Sequence, residues 1–432
     1  MASGLANREA EGLRCLWLAR AIPLPLRFGE NIYSARIAQA LVAAGASVTF
    51  MGLATSAASS LPAAQAFEGR IEWSIVPGGP NPTVRALASP LPFVAAQFGT
   101  RDYAQHLEAM LRERDFDGVI LDHYPMAWAL GHIQRSKKNS VSPLIVYITH
   151  NFETKLAADI ARNFRGNIFR KAALRANAWK TANAELSLAR GADIIVANTA
   201  EDAKSLARLS PLSAKLVLSP GYNGPRALER QIVPATPRRV AIVGSYRWTA
   251  KQMNLSAFLE AADPILENVG VGIDVVGDGP DSFREAWEAR CTATRFHGFI
   301  DNLGEFLAAR RMGLVVEETG GGFKHKTLDY IFNRVPIAAI RGSITGLPLT
   351  QGLEYLSFES MRELAQGVAA VIDDIERLNS MQQAAYEKCE SGFDWSDRGR
   401  TLYDAIQQAL NWQRSAQDLS GNKRAVWRLG IR

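Results

Sequence analysis

Short, wholly apolar runs recur along this chain, separated by longer stretches with helical periodicity. Runs at 15–19, 47–51, 118–121, 144–149 and 193–197 read as strands buried on both faces of a parallel sheet. Between the first two, Ile32, Ala35, Ala38 and Val42 share one helical face, and Gly45 ends that helix. A second series follows at 239–243, 271–276, 295–300, 312–316 and 336–340, with a helical pattern over 254–266. Between the two series, 220–237 holds four prolines and two glycines and reads as a linker. The expected fold class is therefore α/β, with two Rossmann-like domains facing each other across a cleft. Polar residues follow several strands: Asp122-His123, His150-Asn151 and Asn198-Thr199. Open parallel sheets place ligands at those ends.

Composition narrows the class. A hydrophobic share of 47% and a charged share of 21% describe an ordinary globular protein. Cys15, Cys291 and Cys389 lie far apart, with neither a disulfide framework nor zinc spacing. No apolar run has the length of a membrane span, and 1–14 is polar with mixed charges, unlike a secretory signal. A cytoplasmic location is expected. The net charge of +6 admits nucleic acid, a membrane surface or anionic substrates as partners.

The stretch Glu317-Glu318-Thr319-Gly320-Gly321-Gly322-Phe323-Lys324-His325-Lys326 carries the most chemistry. It joins a strand to a helix through three glycines. Glycines let the backbone approach a ligand, and the first N–H groups of the helix are unpaired. Lys324 and Lys326 add positive charge, and Asp329 can accept hydrogen bonds from hydroxyls. Phosphate beside a hydroxylated ring describes a nucleotide, although such a stretch can equally be only a tight turn.

Several positions together resemble GT-B glycosyltransferases, most closely the retaining family 4, or group 1, type. They are Gly244 with Lys251, Val275-Val276-Gly277-Asp278-Gly279, and Gly321-Gly322-Phe323-Lys324 feeding Leu328-Asp329-Tyr330 before Pro336-Ile337-Ala338. Lys326 matches a subset with lysine two residues before the leucine. The amino half is similar more weakly, through Gly29 and His150-Asn151-Phe152-Glu153.

The resemblance implies an acceptor-side domain over 1–225, completed by a terminal helix at 393–412. It implies a nucleotide-sugar domain over 238–392. The remainder, 413–432, reads as a mobile basic tail. The implied reaction moves a sugar from a nucleotide-diphosphate sugar to a polysaccharide or lipid-linked saccharide, with retention and without metal or other cofactor. Lys251 and Lys326 would neutralise phosphate, and the backbone of Gly321, Gly322, Phe323 and Lys324 would cradle it. Asp329 would hold the ribose. Gly244 and Ser245 would line the donor site, Gly29 would let its loop approach, and His150 would contact the sugar near the reacting carbon.

Two positions depart from the pattern. Gly321 stands where the family has the first of two glutamates, leaving Glu317 or Glu318 as candidates to replace it. Ser245 stands where arginine is frequent, with Arg247 close by. The missing glutamate leaves open a non-catalytic sugar-nucleotide-binding subunit, and a sugar-nucleotide epimerase is a further alternative. His123 reads as a structural residue at a strand end.

Residues 160–184 hold Arg162, Arg165, Arg170, Lys171, Arg175 and Lys180 and no acidic residue. Ile160, Phe164, Ile168 and Ala172 recur every four positions, as on one apolar helix face. Such a helix can dock on an anionic membrane, placing the protein at the inner face. It can equally be an ordinary surface helix. Aromatics are not interleaved for base stacking, so no nucleic-acid partner is expected.

Overall fold

The computed structural model describes residues 12–24, 26, 29–54, 71–136 and 142–419. They form two compact units. One runs to Gly221 and resumes at Trp395; the other is Tyr222–Asp394.

The first unit is built on a seven-stranded parallel sheet: β1 (Arg14–Ala21), β2 (Ser47–Leu53), β3 (Ile71–Val76), β4 (Gly118–Asp122), β5 (Leu144–Thr149), β6 (Ile194–Ala197) and β7 (Ala214–Val217). Their order is β3-β2-β1-β4-β5-β6-β7. The chain winds outward from β1 in one direction and then from β4 in the other, so the crossover falls between β1 and β4. Central strands are buried throughout, as their continuous apolar runs require. Trp17, fully buried, stacks on Phe50 with ring centroids 5.7 Å apart. The terminal helix Trp395–Leu419 packs on the helix Gly29–Ala43. A Cβ at Gly399 would fall 2.2 Å from Ala40 backbone, so glycine sets that helix contact.

The second unit carries β8 (Arg239–Val243), β9 (Gly272–Val276), β10 (Thr294–Gly298), β11 (Met312–Val315), β12 (Ile337–Ile340) and β13 (Tyr355–Phe358). Their order is β10-β9-β8-β11-β12-β13, all parallel. This is the doubly wound order whose crossover lies between β8 and β11. Tyr330 fixes that crossover from the helix His325–Phe332. Its hydroxyl accepts from the Val243 N–H at 3.0 Å and lies 3.2 Å from the Ala241 carbonyl. The ring fits because Gly313 has no Cβ, which would sit 2.7 Å from it.

Several sequence expectations are corrected. Apolar runs do not reveal the strands β3, β7 and β13, since each lies at a sheet edge with partly exposed side chains. Gly29 is not in a loop but opens a helix. The 220–237 segment contains no helix or strand, yet most of it packs on the second unit: Ile232 is buried and its N–H donates to Asn379 at 2.9 Å. The 160–184 stretch is not one helix. One helix ends at Asn163 and the next begins at Ile168, where Asn167 caps the N–H groups of Phe169 and Arg170. Ile160, Phe164, Ile168 and Ala172 therefore form no continuous face, and Ile168 is exposed. Residues 413–419 continue the terminal helix; 420–432 lie outside the described residues.

Tyr330→Phe leaves the half-buried Val243 N–H without its acceptor, which costs about 1 kcal/mol. A thermal melt should show a lower midpoint with unchanged secondary structure; an unchanged midpoint would remove Tyr330 as the tie across the crossover.

Candidate functional site

In the second unit, Gly244 follows β8, and Glu317 and the glycine turn follow β11. They sit at the carboxyl ends of the two strands that flank the crossover. Gly244 also lies against Gly277, whose φ is 128° and whose Cβ would fall 1.6 Å from the Gly244 carbonyl oxygen. Only glycine at 277 permits this approach. Ser245 is half-buried beside Asp278, which pairs with Arg247 at 2.5 Å.

Lys251 lies in the first turn of the helix Thr249–Asn268, and Lys326 in the first turn of His325–Phe332. A lysine there works against the helix dipole, so neither position is favoured by helix stability. Both ammonium groups converge on one carboxylate oxygen. Glu317 Oε1 accepts from Lys251 Nζ at 2.5 Å and from Lys326 Nζ at 2.6 Å. Glu317 is 5% exposed. Burial opposes its charge, but the two lysines, with Lys324, hold its carboxyl far below the usual range. Burial pushes Lys326 down to about 8, helped by the charge of Lys251 and opposed by Glu317.

The glycine turn is held in place by Asn254. Its side-chain amide donates to the Thr319 carbonyl at 2.7 Å and its oxygen accepts from the Thr319 N–H at 2.8 Å. Gly322 has φ 63°. Lys324 donates to the carbonyls of Gly321 and Gly322, and the Phe323 side chain is buried in the core. No side chain caps the helix that follows. Two helix N-termini and three lysines thus meet around one carboxylate, leaving excess positive charge suited to a polyanion. On the same helix, burial pushes Asp329 up to about 7, with the nearby Tyr222 opposing the shift.

The first unit gathers a second set at the ends of β4 and β5. His150 is buried and its Nε2 hydrogen-bonds Asp122 Oδ1 at 2.8 Å; Trp17 Nε1 donates to the other Asp122 oxygen at 2.9 Å. Burial alone would lower His150, but Asp122 overcomes it and raises the imidazole above its usual value. His123 lies over His150, ring centroids 4.8 Å apart, and pairs with Glu153 at 2.9 Å. Its φ of 75° is rare for a non-glycine residue and marks a constrained position. Glu153 lies beneath it at a helix start, where Glu185 caps the N–H groups of Glu153 and Thr154. Burial and the charge of Glu153 push Glu185 up to about 7. Gly29 and Glu30 open a helix after β1, and Glu30 pairs with Arg20.

Lys251, Lys326, Gly244, Ser245 and the glycine turn are therefore clustered, with Asp329 on the same helix as Lys326. His150 and Gly29 belong to the other unit. The sequence alone gives Asn254, Asp122 and Tyr222 no role and leaves Glu317 without a partner, whereas His123, read as a structural residue at a strand end, is found paired with Glu153. Asn254 follows Lys251 by three positions on one helix face, a signal that could have found it. Among the described residues, no His, Cys, Asp and Glu group is arranged to hold a metal, and no helix is long and apolar enough to cross a membrane.

Comparison with known proteins bears on both units. Residues 28–221 match the family model of a glycosyl transferase 4-like domain, and 251–404 match that of a glycosyl transferase-like domain. Sucrose-phosphate synthase from Thermosynechococcus elongatus is similar in structure, with TM-score 0.68 and 12% identity, over 93% of this chain and 100% of that one. HepE from Anabaena, in complex with UDP and glucose, has TM-score 0.61 and 14% identity over 92% and 100%. The lipopolysaccharide outer core galactosyltransferase WaaB has TM-score 0.57 and 12% identity over 93% and 100%. At these identities the likeness is one of fold. No curated protein matches the chain by sequence. With both family models accounting for most of its length, the chain belongs to the family 4-like glycosyltransferases of the GT-B fold, and it is a glycosyltransferase.

Proposed function

We propose that this glycosyltransferase moves a sugar from a uridine diphosphate sugar to a saccharide or lipid-linked saccharide, with retention and without a metal ion. The observation that carries this reading is the convergence of Lys251 and Lys326 on Glu317 beside an uncapped helix N-terminus. Cleavage of the bond between the anomeric carbon and the phosphate oxygen leaves charge on a diphosphate. Fixed ammonium groups and backbone N–H groups of the glycine turn stabilise that charge as it develops. Each lysine gives one N–H to Glu317 and has others for phosphate oxygens. Uridine is favoured because structurally similar HepE has been crystallised with UDP-glucose; retention follows the family resemblance.

Asp329 takes the ribose hydroxyls, which donate to its carboxylate and offset its burial. A lipid-linked acceptor suits the 160–184 segment, where exposed Ile168, Phe169 and Trp179 stand among Arg165, Arg170, Lys171 and Arg175. Apolar side chains with only basic neighbours fit an anionic membrane surface, consistent with a peripheral protein on the cytoplasmic face.

UDP should raise the melting temperature of the wild-type chain by linkage, equally with and without EDTA. Lys326→Ala should abolish most of that shift while keeping its circular dichroism spectrum; an unchanged shift would overturn the phosphate assignment. Asp329 gives a second outcome with a definite sign. Its folded pKa is raised, so its contribution to stability is complete below the unfolded value and is lost as pH rises through about 7. Asp329→Asn should therefore melt a few degrees higher than wild type at pH 8, little differently at pH 4, and bind UDP at least tenfold more weakly. Tight UDP binding by that variant would remove Asp329 from the site.

A further inference from the structure

Glu317 has a second carboxylate oxygen that the lysines do not use. Oε1 receives both ammonium groups, while Oε2 is buried and has no hydrogen-bond partner among the described residues. An ionised oxygen left without a donor in a buried place is costly, so a donor belongs beside it when the site is filled. The nature of that donor follows from charge. A phosphate oxygen would be repelled by the carboxylate, and among the described residues no other cation is paired with Oε2. The group that suits it is a neutral O–H, held next to the phosphate that Lys251 and Lys326 attract.

We propose that Glu317 is a positioning and specificity residue for the donor, setting the spacing of Lys251 and Lys326 through Oε1 and accepting a hydroxyl of the transferred sugar through Oε2. The inference rests on the donor-site reading above. It gives the buried carboxylate two separable jobs. The first is to keep two ammonium groups close together despite their mutual repulsion. The second is to distinguish a nucleotide that carries a sugar from the bare nucleoside diphosphate. Glu318, one position on, is exposed and takes neither job.

The test compares affinities for UDP and for whichever of UDP-glucose, UDP-galactose and UDP-N-acetylglucosamine the wild-type chain binds most tightly, by calorimetry on the full chain. Glu317→Gln removes the charge that holds Lys251 and Lys326 together, so its UDP affinity should fall. Its UDP-sugar affinity should fall at least tenfold further, collapsing the ratio of the two. Glu317→Asp keeps the charge the lysines need and withdraws the carboxylate by one methylene. It should keep the wild-type melting temperature within a few degrees and lose the same ratio, which covers the case in which the glutamine variant folds poorly. Parallel weakening of both ligands in the aspartate variant, or an unchanged ratio in either variant, would overturn the second job of Glu317. A wild-type chain that binds no UDP would overturn the donor-site reading itself, and with it this inference.

Discussion

A carboxylate cannot be buried in charged form unless cations come with it. Glu317 is buried at the end of β11, and Lys251 and Lys326 converge on its one oxygen. The two lysines arrive from the first turns of two different helices, so the pairing also brings two helix N-termini together. Neither arrangement is favoured by its own local physics: lysines repel one another and oppose the dipoles of the helices that carry them. Glu317 reconciles them. What results is a compact positive site that exists before any ligand enters, which is what stabilisation of a departing diphosphate requires.

Topology decides where such a site can be. In each sheet the winding direction reverses once, between β1 and β4 and between β8 and β11. Loops diverge at those points and leave space beyond the carboxyl ends of the strands. The lysine–glutamate cluster follows β8 and β11. The paired histidines follow β4 and β5, and Arg20 at the end of β1 pairs with Glu30 beyond it. The supporting contacts come from the core below: Tyr330 ties β8 to the helix bearing Lys326 and Asp329, and Trp17 holds Asp122, which holds His150. In both units a buried aromatic side chain with one polar atom connects sheet packing to the chemistry at its rim.

The sequence made the central strands legible because they are buried on both faces and carry unbroken apolar runs. The edge strands β3, β7 and β13 lack that signature. Lys251, Lys326 and the glycine turn could be found from motif positions. The role of Glu317 could not, because Lys251 is far away in sequence and only folding makes them neighbours. The strand-end place of His123 is legible, but nothing in a one-dimensional pattern announces its positive φ. The break at 164–167 was written in the chain as Gly166-Asn167, a stop followed by a cap; a four-residue apolar repeat running through it outweighed that signal.

The most direct measurement is a crystal structure of the full chain with UDP. Phosphate oxygens within about 3 Å of both Lys251 Nζ and Lys326 Nζ, with Glu317 still joined to the lysines, are the expected result. A diphosphate bound elsewhere, or one that displaces Glu317 from both lysines, would contradict the assignment of this cluster as the donor site.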